Sequence, residues 1–302
     1  MNNFFEQNEF DESTFLQEYE PSVYAEKYGY QSMTSDIVVF SVDEHKHDNK
    51  RKLNQKFMKV LLIERGGHPN KGKWALPGGF IGDDTPEEAA YRELRTETNV
   101  ENIFLEPIGT WGEKNRDSRI KKRQRVISCA FMSLIDSNTV DVIAGDDAAK
   151  ATWFEIRITE EKDGSSIDIE FLNEEQNITL KAHVNAEKTV RGVSESVSYR
   201  QSQSDLAFDH VEMIVVGLMH LRAKVKNKEN IVFNLMPTNF TFSELQQTYE
   251  IILNSELLTP AFRRDMKNSS KGWYVEETGT MRKEGQHRPS ELYHYVSRKD
   301  LS

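Results

Sequence analysis

The sequence predicts an α+β chain in two parts. An N-terminal α/β/α sandwich with a β-hairpin extension is followed by a C-terminal winged helix-turn-helix domain. In the first part, apolar runs at 35–42, 57–65, 103–112 and 123–135 read as strands, with an amphipathic helix starting near Thr85. In the second, two short helices meet through a tight turn and lead into two strands that flank a basic loop. The 302 residues suffice for two cores. The expected divisions are an N-terminal segment (1–33), a ligand-binding domain with its β extension (34–205), and a linker helix with the winged helix (206–302).

Each element has a local reason. Residues 1–30 are acidic and aromatic, with one irregular helix around STFLQEYE. SDIVVFSV is an unbroken apolar run, as in a strand covered on both faces. The helix after WALPGGFIG has Thr85 as cap, Pro86 at its first position and Glu88 three residues past the cap. Ala90 and Leu94 face inward, and Asn99 stands where it should stop. Residues 150–184 alternate around KDGSS and NEEQN and read as the β-hairpin extension, whereas the Ser-rich stretch 185–205 reads as a loop. Val211, Ile214, Val215, Leu218 and Leu221 then fall on one helical face.

Composition narrows the function classes. Hydrophobic residues make up 37% and charged residues 29%, ordinary for a globular chain. No apolar run is long enough to span a bilayer, and the acidic start lacks the features of a signal peptide, so a cytoplasmic protein without membrane contact fits. The single cysteine, Cys129, lies in an apolar strand and reads as core packing. Net charge is −10, but it is uneven: residues 206–302 carry 13 basic and 12 acidic side chains, against 26 and 37 over residues 1–205.

The segment ALPGGFIGDDTPEEAAYRELRTETNV carries the first functional signal. Glu93 and Glu97 are one helical turn apart, so their carboxylates share a face and repel unless a cation joins them. Mg²⁺ bound between carboxylates and substrate phosphates suits that pair. Gly78 and Gly79 let backbone and ligand approach closely. The candidate catalytic residues are Arg92, Glu93 and Glu97, with Glu93 and Glu97 as metal ligands. Trp74 either stacks on a ligand ring or packs in the core. The basic loop at 114–125, including Arg119 and Arg125, either neutralises a pyrophosphate, touches DNA or is simply solvated.

The order Gly79, Asp84, seven residues, then Arg92-Glu93-Leu94-x-Thr96-Glu97-x-Asn99-Val100 resembles the Nudix box. KGKWALPGGF before it resembles the ADP-ribose type of that family, and the likeness covers about residues 34–160. It implies a Nudix α/β/α sandwich and a pocket for ADP-ribose or a related metabolite. The chain departs from the family pattern in its shortened loop, in Asp84 for Glu, in Asn99 for Gly and in Thr96, which replaces a metal-ligating Glu. A lost carboxylate weakens the Mg²⁺ site and the activation of water. The expectation is a catalytically degenerate domain with weak or absent metal. The alternative is an active Mg²⁺-dependent ADP-ribose pyrophosphatase in which Glu113, Asp146 or Asp147 compensates.

The second signal lies in FTFSELQQTYEIILNSELLTPAFRRDMKN and the strands after it. Thr241 and Glu244 form a capping box. Thr259-Pro260 opens a second helix with Phe262 and Met266 inward. Thr259, Arg263, Arg264 and Lys267 point outward, and Arg282, Lys283, His287 and Arg288 lie on the basic wing. These are the expected DNA contacts; a winged helix used only for protein contacts is the other reading. LAFDHVEMI, FTFSELQQTYE and FRRDM behind a Nudix box resemble the Nudix-related transcriptional regulators of bacteria, the NrtR-like proteins. That resemblance implies a homodimeric repressor of NAD-metabolism genes. It would bind double-stranded operator DNA and respond to ADP-ribose or a related small-molecule effector.

Overall fold

The computed structural model describes residues 29–45, 54–98, 104–119, 124–139, 148–268, 273–283 and 289–297, with single positions at 13, 22 and 25. The helix expected within residues 1–30 and the stop at Asn99 lie outside the described residues. The first part contains β1 (Tyr30–His45), β2 (Gln55–Arg65), β3 (Trp74–Ala75), β4 (Gly78–Phe80), α1 (Pro86–Thr98), β5 (Leu105–Trp111) and β6 (Gln124–Leu134). It continues through β7 (Ala148–Glu160), β8 (Ser166–Asn173), β9 (Ile178–Arg191) and β10 (Ser194–Ser204). Among the described residues these strands form one sheet in the order β10-β9-β8-β7-β2-β1-β6-β5, with β3 beside β2 and β4 beside β1. β1 and β6 run parallel, with Ile37 opposite Phe131; the other pairs are antiparallel.

The sandwich follows from β1. Ile37 and Val39 pack with Leu61, Ala90 and Leu94 beneath α1. Val38 and Phe40 point the other way, into a core shared with helix α2 (His210–Lys226). Both faces of β1 are covered, which is why its sequence shows no polar alternation. The start of α1 is built as expected. The Glu88 amide donates to the Thr85 hydroxyl at 3.3 Å, and the Thr85 amide donates to the Glu88 carboxylate at 2.9 Å. Those bonds, the one from the Thr85 backbone first, hold the Glu88 carboxyl below its ordinary pKa.

The extension is larger than expected. β7 to β10 form an antiparallel meander, and the Ser-rich stretch read as a loop is instead the end of β9, a turn at Gly192 (φ 64°) and all of β10. Residues 187–197 are exposed on both faces, so no apolar alternation marks them as strand.

α2 joins the two parts. Its apolar face, Val211, Ile214, Val215, Leu218 and Leu221, is buried as the spacing predicts. Gly217 lets it lie close on the sheet: a Cβ there would stand 3.4 Å from the Phe40 ring and 3.5 Å from Val38. Near the far end, the Arg222 Nε donates to the Ile252 carbonyl at 2.7 Å. Ile252 belongs to α3 (Phe242–Leu253), which follows the short β11 (Phe240–Thr241). The capping box is present, with the Glu244 amide donating to the Thr241 hydroxyl at 3.2 Å. After α3 come α4 (Thr259–Met266), β12 (Trp273–Arg282) and β13 (Ser290–Ser297). The sheet order β11-β13-β12 completes a winged helix. Phe262 and Met266 are buried, and Phe242 meets Tyr293 edge to face at 4.5 Å. One apolar core runs from Val38 through Leu218 to Phe262 and joins the two parts, while a smaller one lies beneath α1.

Candidate functional site

A cavity of about 470 Å³ opens between β1, β4, the start of β6 and the head of α2. Asp36 lies on its wall, and the Asp36 carboxylate accepts hydrogen bonds from the Ser128 hydroxyl and, at 3.3 Å, from Thr34. His210, the first residue of α2, accepts the Leu76 amide proton on Nδ1 at 2.8 Å. Its ring proton therefore sits on Nε2, 3.7 Å from Asp36 Oδ1. Burial keeps the imidazole pKa below its ordinary value, so the ring is neutral at physiological pH.

Arg65, Arg116 and Arg119 line the cavity and supply positive charge. Arg116 forms a two-pronged pair with Asp209, Nε at 2.8 Å and Nη2 at 2.6 Å. Burial works against its charge, but the Asp209 bonds, with Asp36 and Asp117 nearby, hold the guanidinium pKa above the usual value. Arg119 lines the cavity, paired with Asp117 at 2.5 Å and lying over the Phe80 ring at 4.9 Å. Burial raises the Asp117 pKa, yet the bonds from Arg119 prevail and bring it below the ordinary range.

Two expected ligand contacts fall elsewhere. Trp74 is core: it is 6% exposed and packs edge to face on Phe154 at 4.8 Å. Arg125 points away from the cavity and donates to the Gln31 side chain at 2.7 Å; strand alternation gives the cavity wall to its neighbour Val126. The aromatic surface of the cavity comes instead from Phe80 and Phe208. Their signal in the sequence was only adjacency, Phe80 to the paired glycines and Phe208 to the start of the linker helix.

Arg92 lies between the carboxylates and the turn after β4. Its guanidinium bonds the Glu93 carboxylate, the Asp84 carboxylate at 2.7 Å and the Phe80 carbonyl at 2.9 Å. Glu93 and both Gly78 and Gly79 line the cavity. A Cβ on Gly79 would stand 2.5 Å from the Glu93 carboxylate, so the glycine makes room for it. The Glu97 side chain lies outside the described residues. Thr96 turns back on its own helix, its hydroxyl donating to the Arg92 carbonyl at 2.9 Å. Glu113 is exposed and pairs with Arg200 at 3.0 Å rather than facing the cavity, and Asp146 and Asp147 lie outside the described residues.

Among the described residues, the donors around Glu93 are already engaged. Glu93 shares its carboxylate with Arg92, Asp84 is bound to the same guanidinium, and Thr96 offers a neutral, committed hydroxyl. Among the described residues no three His, Cys, Asp or Glu side chains converge as a metal site.

On the winged helix, Thr259, Arg263 and Arg264 of α4 and Lys267 just after it are all exposed. Arg263 lies over the Phe242 ring at 5.2 Å, and Lys267 reaches Glu277 of β12 at 2.7 Å. That bond raises the Lys267 pKa. Arg282 departs from expectation: it turns inward and bonds Glu244, the carboxylate that caps α3. Lys283 is exposed at the base of the wing, while His287 and Arg288 lie outside the described residues.

Residues 47–174 match the NUDIX domain, and residues 232–295 match the NrtR DNA-binding winged helix domain. An ADPR responsive transcriptional repressor, NtrR, of Acinetobacter baylyi is 29% identical over 289 residues, 94% of this chain and 88% of that protein. An ADP-ribose pyrophosphatase of Methanocaldococcus jannaschii is 38% identical over 103 residues, 34% of this chain and 57% of that protein. A MutT/nudix family protein from Enterococcus faecalis shares the fold with a TM-score of 0.63 at 24% identity, covering 98% of this chain and 96% of its own. Shewanella oneidensis NrtR, crystallised with a 27mer DNA, does so at 0.54 and 24% identity, covering 87% and 93%. The chain is thus a Nudix domain joined to a DNA-binding winged helix. In its two domains and their order it is similar to the NrtR-like, Nudix-related regulators. No described helix is long and apolar enough to cross a membrane.

Proposed function

We propose that the protein is a transcriptional repressor whose Nudix cavity senses ADP-ribose or a closely related nucleotide. The observation that carries this reading is Thr96. It stands where the Nudix box has a metal-ligating carboxylate, and its hydroxyl is spent on the Arg92 carbonyl. The same chain carries an outward-facing basic helix, α4. In this reading residues 34–205 hold the sensor and 206–302 the reader. Gly78, Gly79 and Arg119 receive the diphosphate, where an anion meets open backbone and a cation. Thr259, Arg263, Arg264 and Lys283 contact operator DNA, with His287 and Arg288 on the wing, as a homodimer on a two-fold site. The Acinetobacter relative, described as ADPR responsive, supports the effector, and genes of NAD synthesis or salvage are the proposed targets.

A second reading has one observation in its favour. Arg92 still positions Glu93 at the cavity, and the pyrophosphatase relative matches this region. One experiment separates the two: protein, Mg²⁺, ADP-ribose and the DNA upstream of the protein's own gene, followed by gel shift and AMP release in the same tubes. A ligand-sensitive shift without AMP supports the repressor. AMP release without a shift, repeated at low salt to guard against screening, supports the enzyme.

A further inference from the structure

Phe208 combines two features that are rarely found on one residue. Its backbone is left-handed, with φ 53°. Asn70, Asn177 and Asn254 share that conformation, which asparagine tolerates; for a bulky aromatic it is an outlier that its surroundings must impose. The surroundings are visible. The Phe208 carbonyl accepts from Gln201 Nε2 at 2.8 Å. The next two residues are anchored to the sensor domain, Asp209 by Arg116 and His210 by the Leu76 amide. The half-buried ring meanwhile forms part of the cavity wall, between the guanidinium groups of Arg65 at 4.9 Å and Arg119 at 5.8 Å.

The direction of α2 is set at this point. The helix starts two residues later, and Arg222 near its far end bonds Ile252 of α3 in the winged helix. The reader is held by α2 and by the seat of α3 on β2, so a change in the Phe208 backbone would shift α2 against both.

We propose that Phe208 couples the cavity to the winged helix: the ring system of a nucleoside diphosphate sugar stacks on its side chain in place of Arg119, and its left-handed backbone is the hinge that re-aims α2. This inference rests on the sensor reading above. Stacking replaces one flat cation by a flat heterocycle, with Arg119 kept beside it by Asp117 to face the diphosphate. A ligand shifts an equilibrium only by preferring one state, and a residue that is wall and hinge together gives that preference a physical site.

The test uses the full chain, ADP-ribose and labelled DNA from upstream of its gene. DNA affinity is measured by fluorescence anisotropy with and without saturating ADP-ribose, and calorimetry checks saturation. In the wild type, ADP-ribose changes the DNA Kd by roughly 5- to 150-fold, the usual range of coupling between sites. Phe208→Gly and Phe208→Asn both accept a positive φ but lack the ring, so in each the factor falls to within about twofold of unity. Phe208→Tyr keeps the wild-type factor. Glycine or asparagine variants that respond as the wild type does overturn the inference and leave the sensor reading standing. A wild type whose DNA affinity ignores ADP-ribose overturns both. Should neither variant fold, hydrogen exchange on the wild type decides: ADP-ribose must change protection across residues 206–212, and unchanged protection there beside altered DNA affinity refutes the hinge.

Discussion

Arg116 and Asp209 lie 93 residues apart and close on each other through two parallel bonds, with only 3% and 8% of their side chains exposed. They fasten the loop before β6 to the head of α2. Removing one partner leaves a buried charge alone, which is worse than never having had the pair. Asp209→Ala should therefore destabilise the protein by about 3–5 kcal/mol, read from urea unfolding. A loss below about 1 kcal/mol, the scale of an exposed pair, would show that water reaches Arg116.

Neighbouring glycines should respond differently to one methyl group. At Gly78, φ is 155° and a Cβ would meet the Ser35 carbonyl at 2.3 Å, a clash with fixed backbone. Gly78→Ala should cost roughly 2–3 kcal/mol of stability. At Gly79 the obstacle is the flexible Glu93 carboxylate. Gly79→Ala should leave the melting temperature nearly unchanged while lowering ADP-ribose affinity, measured by calorimetry.

Thr96→Glu returns a carboxylate to the box. If the pocket is otherwise intact, Mg²⁺-dependent release of AMP from ADP-ribose should rise well above wild type, because a carboxylate can draw a metal that a back-bonded hydroxyl cannot. Thr96→Val is the control, expected to change neither. A glutamate variant as inert as the valine one would place the defect beyond this residue.

Arg264→Ala should weaken DNA binding by about 1–3 kcal/mol with ADP-ribose affinity untouched. Arg282→Ala should behave otherwise, since Arg282 serves the Glu244 cap. Its DNA affinity should fall less, and its salt dependence should match the wild type. Equal losses in both variants would return Arg282 to the DNA surface.

His210 predicts a pH dependence. Burial depresses its folded pKa below the ordinary 6.5, so as pH falls below about 6.5 the unfolded chain binds a proton that the folded chain refuses. Stability contributed by the neutral ring is whole above that pH and declines below it, by at most about 1.4 kcal/mol per pH unit. His210→Asn keeps an acceptor for the Leu76 amide and should flatten the decline between about pH 7 and pH 5.5 in urea titrations. Parallel curves for the two proteins would assign the decline to other groups.

The parts of this molecule legible in its sequence are those set by short-range chemistry. Both capping boxes, at Thr85 and at Thr241, bind within three residues, so pattern and structure coincide. Phe262 and Met266 inward with Arg263 and Arg264 outward follow from helical spacing alone. The Nudix spacing led to the cavity because Arg92, Glu93 and Gly79 are held together by neighbouring turns. Contacts made across the fold were not legible. Trp74 suited a ligand platform or the core equally well, and the choice is made by Phe154, 80 positions away. Nothing near Arg116 announces Asp209, and β10 has no buried face to imprint a period. Arg125 was misplaced by a single step of strand alternation, which a basic run cannot reveal.

The continuity of the apolar core through α2 also dictates where the chain can be cut. A fragment ending at Ser204 would strip the sheet of Leu206, Val211, Ile214, Val215 and Leu218 and leave Val38 and Phe40 facing water. Such a piece would aggregate during expression. A terminus after Lys226 keeps α2 on the sheet but removes α3, which packs on both α2 and β2. Reader and sensor therefore share the sheet as well as the linker: in any recombination of such modules, α2 should travel with the cavity and β2 needs a matching α3.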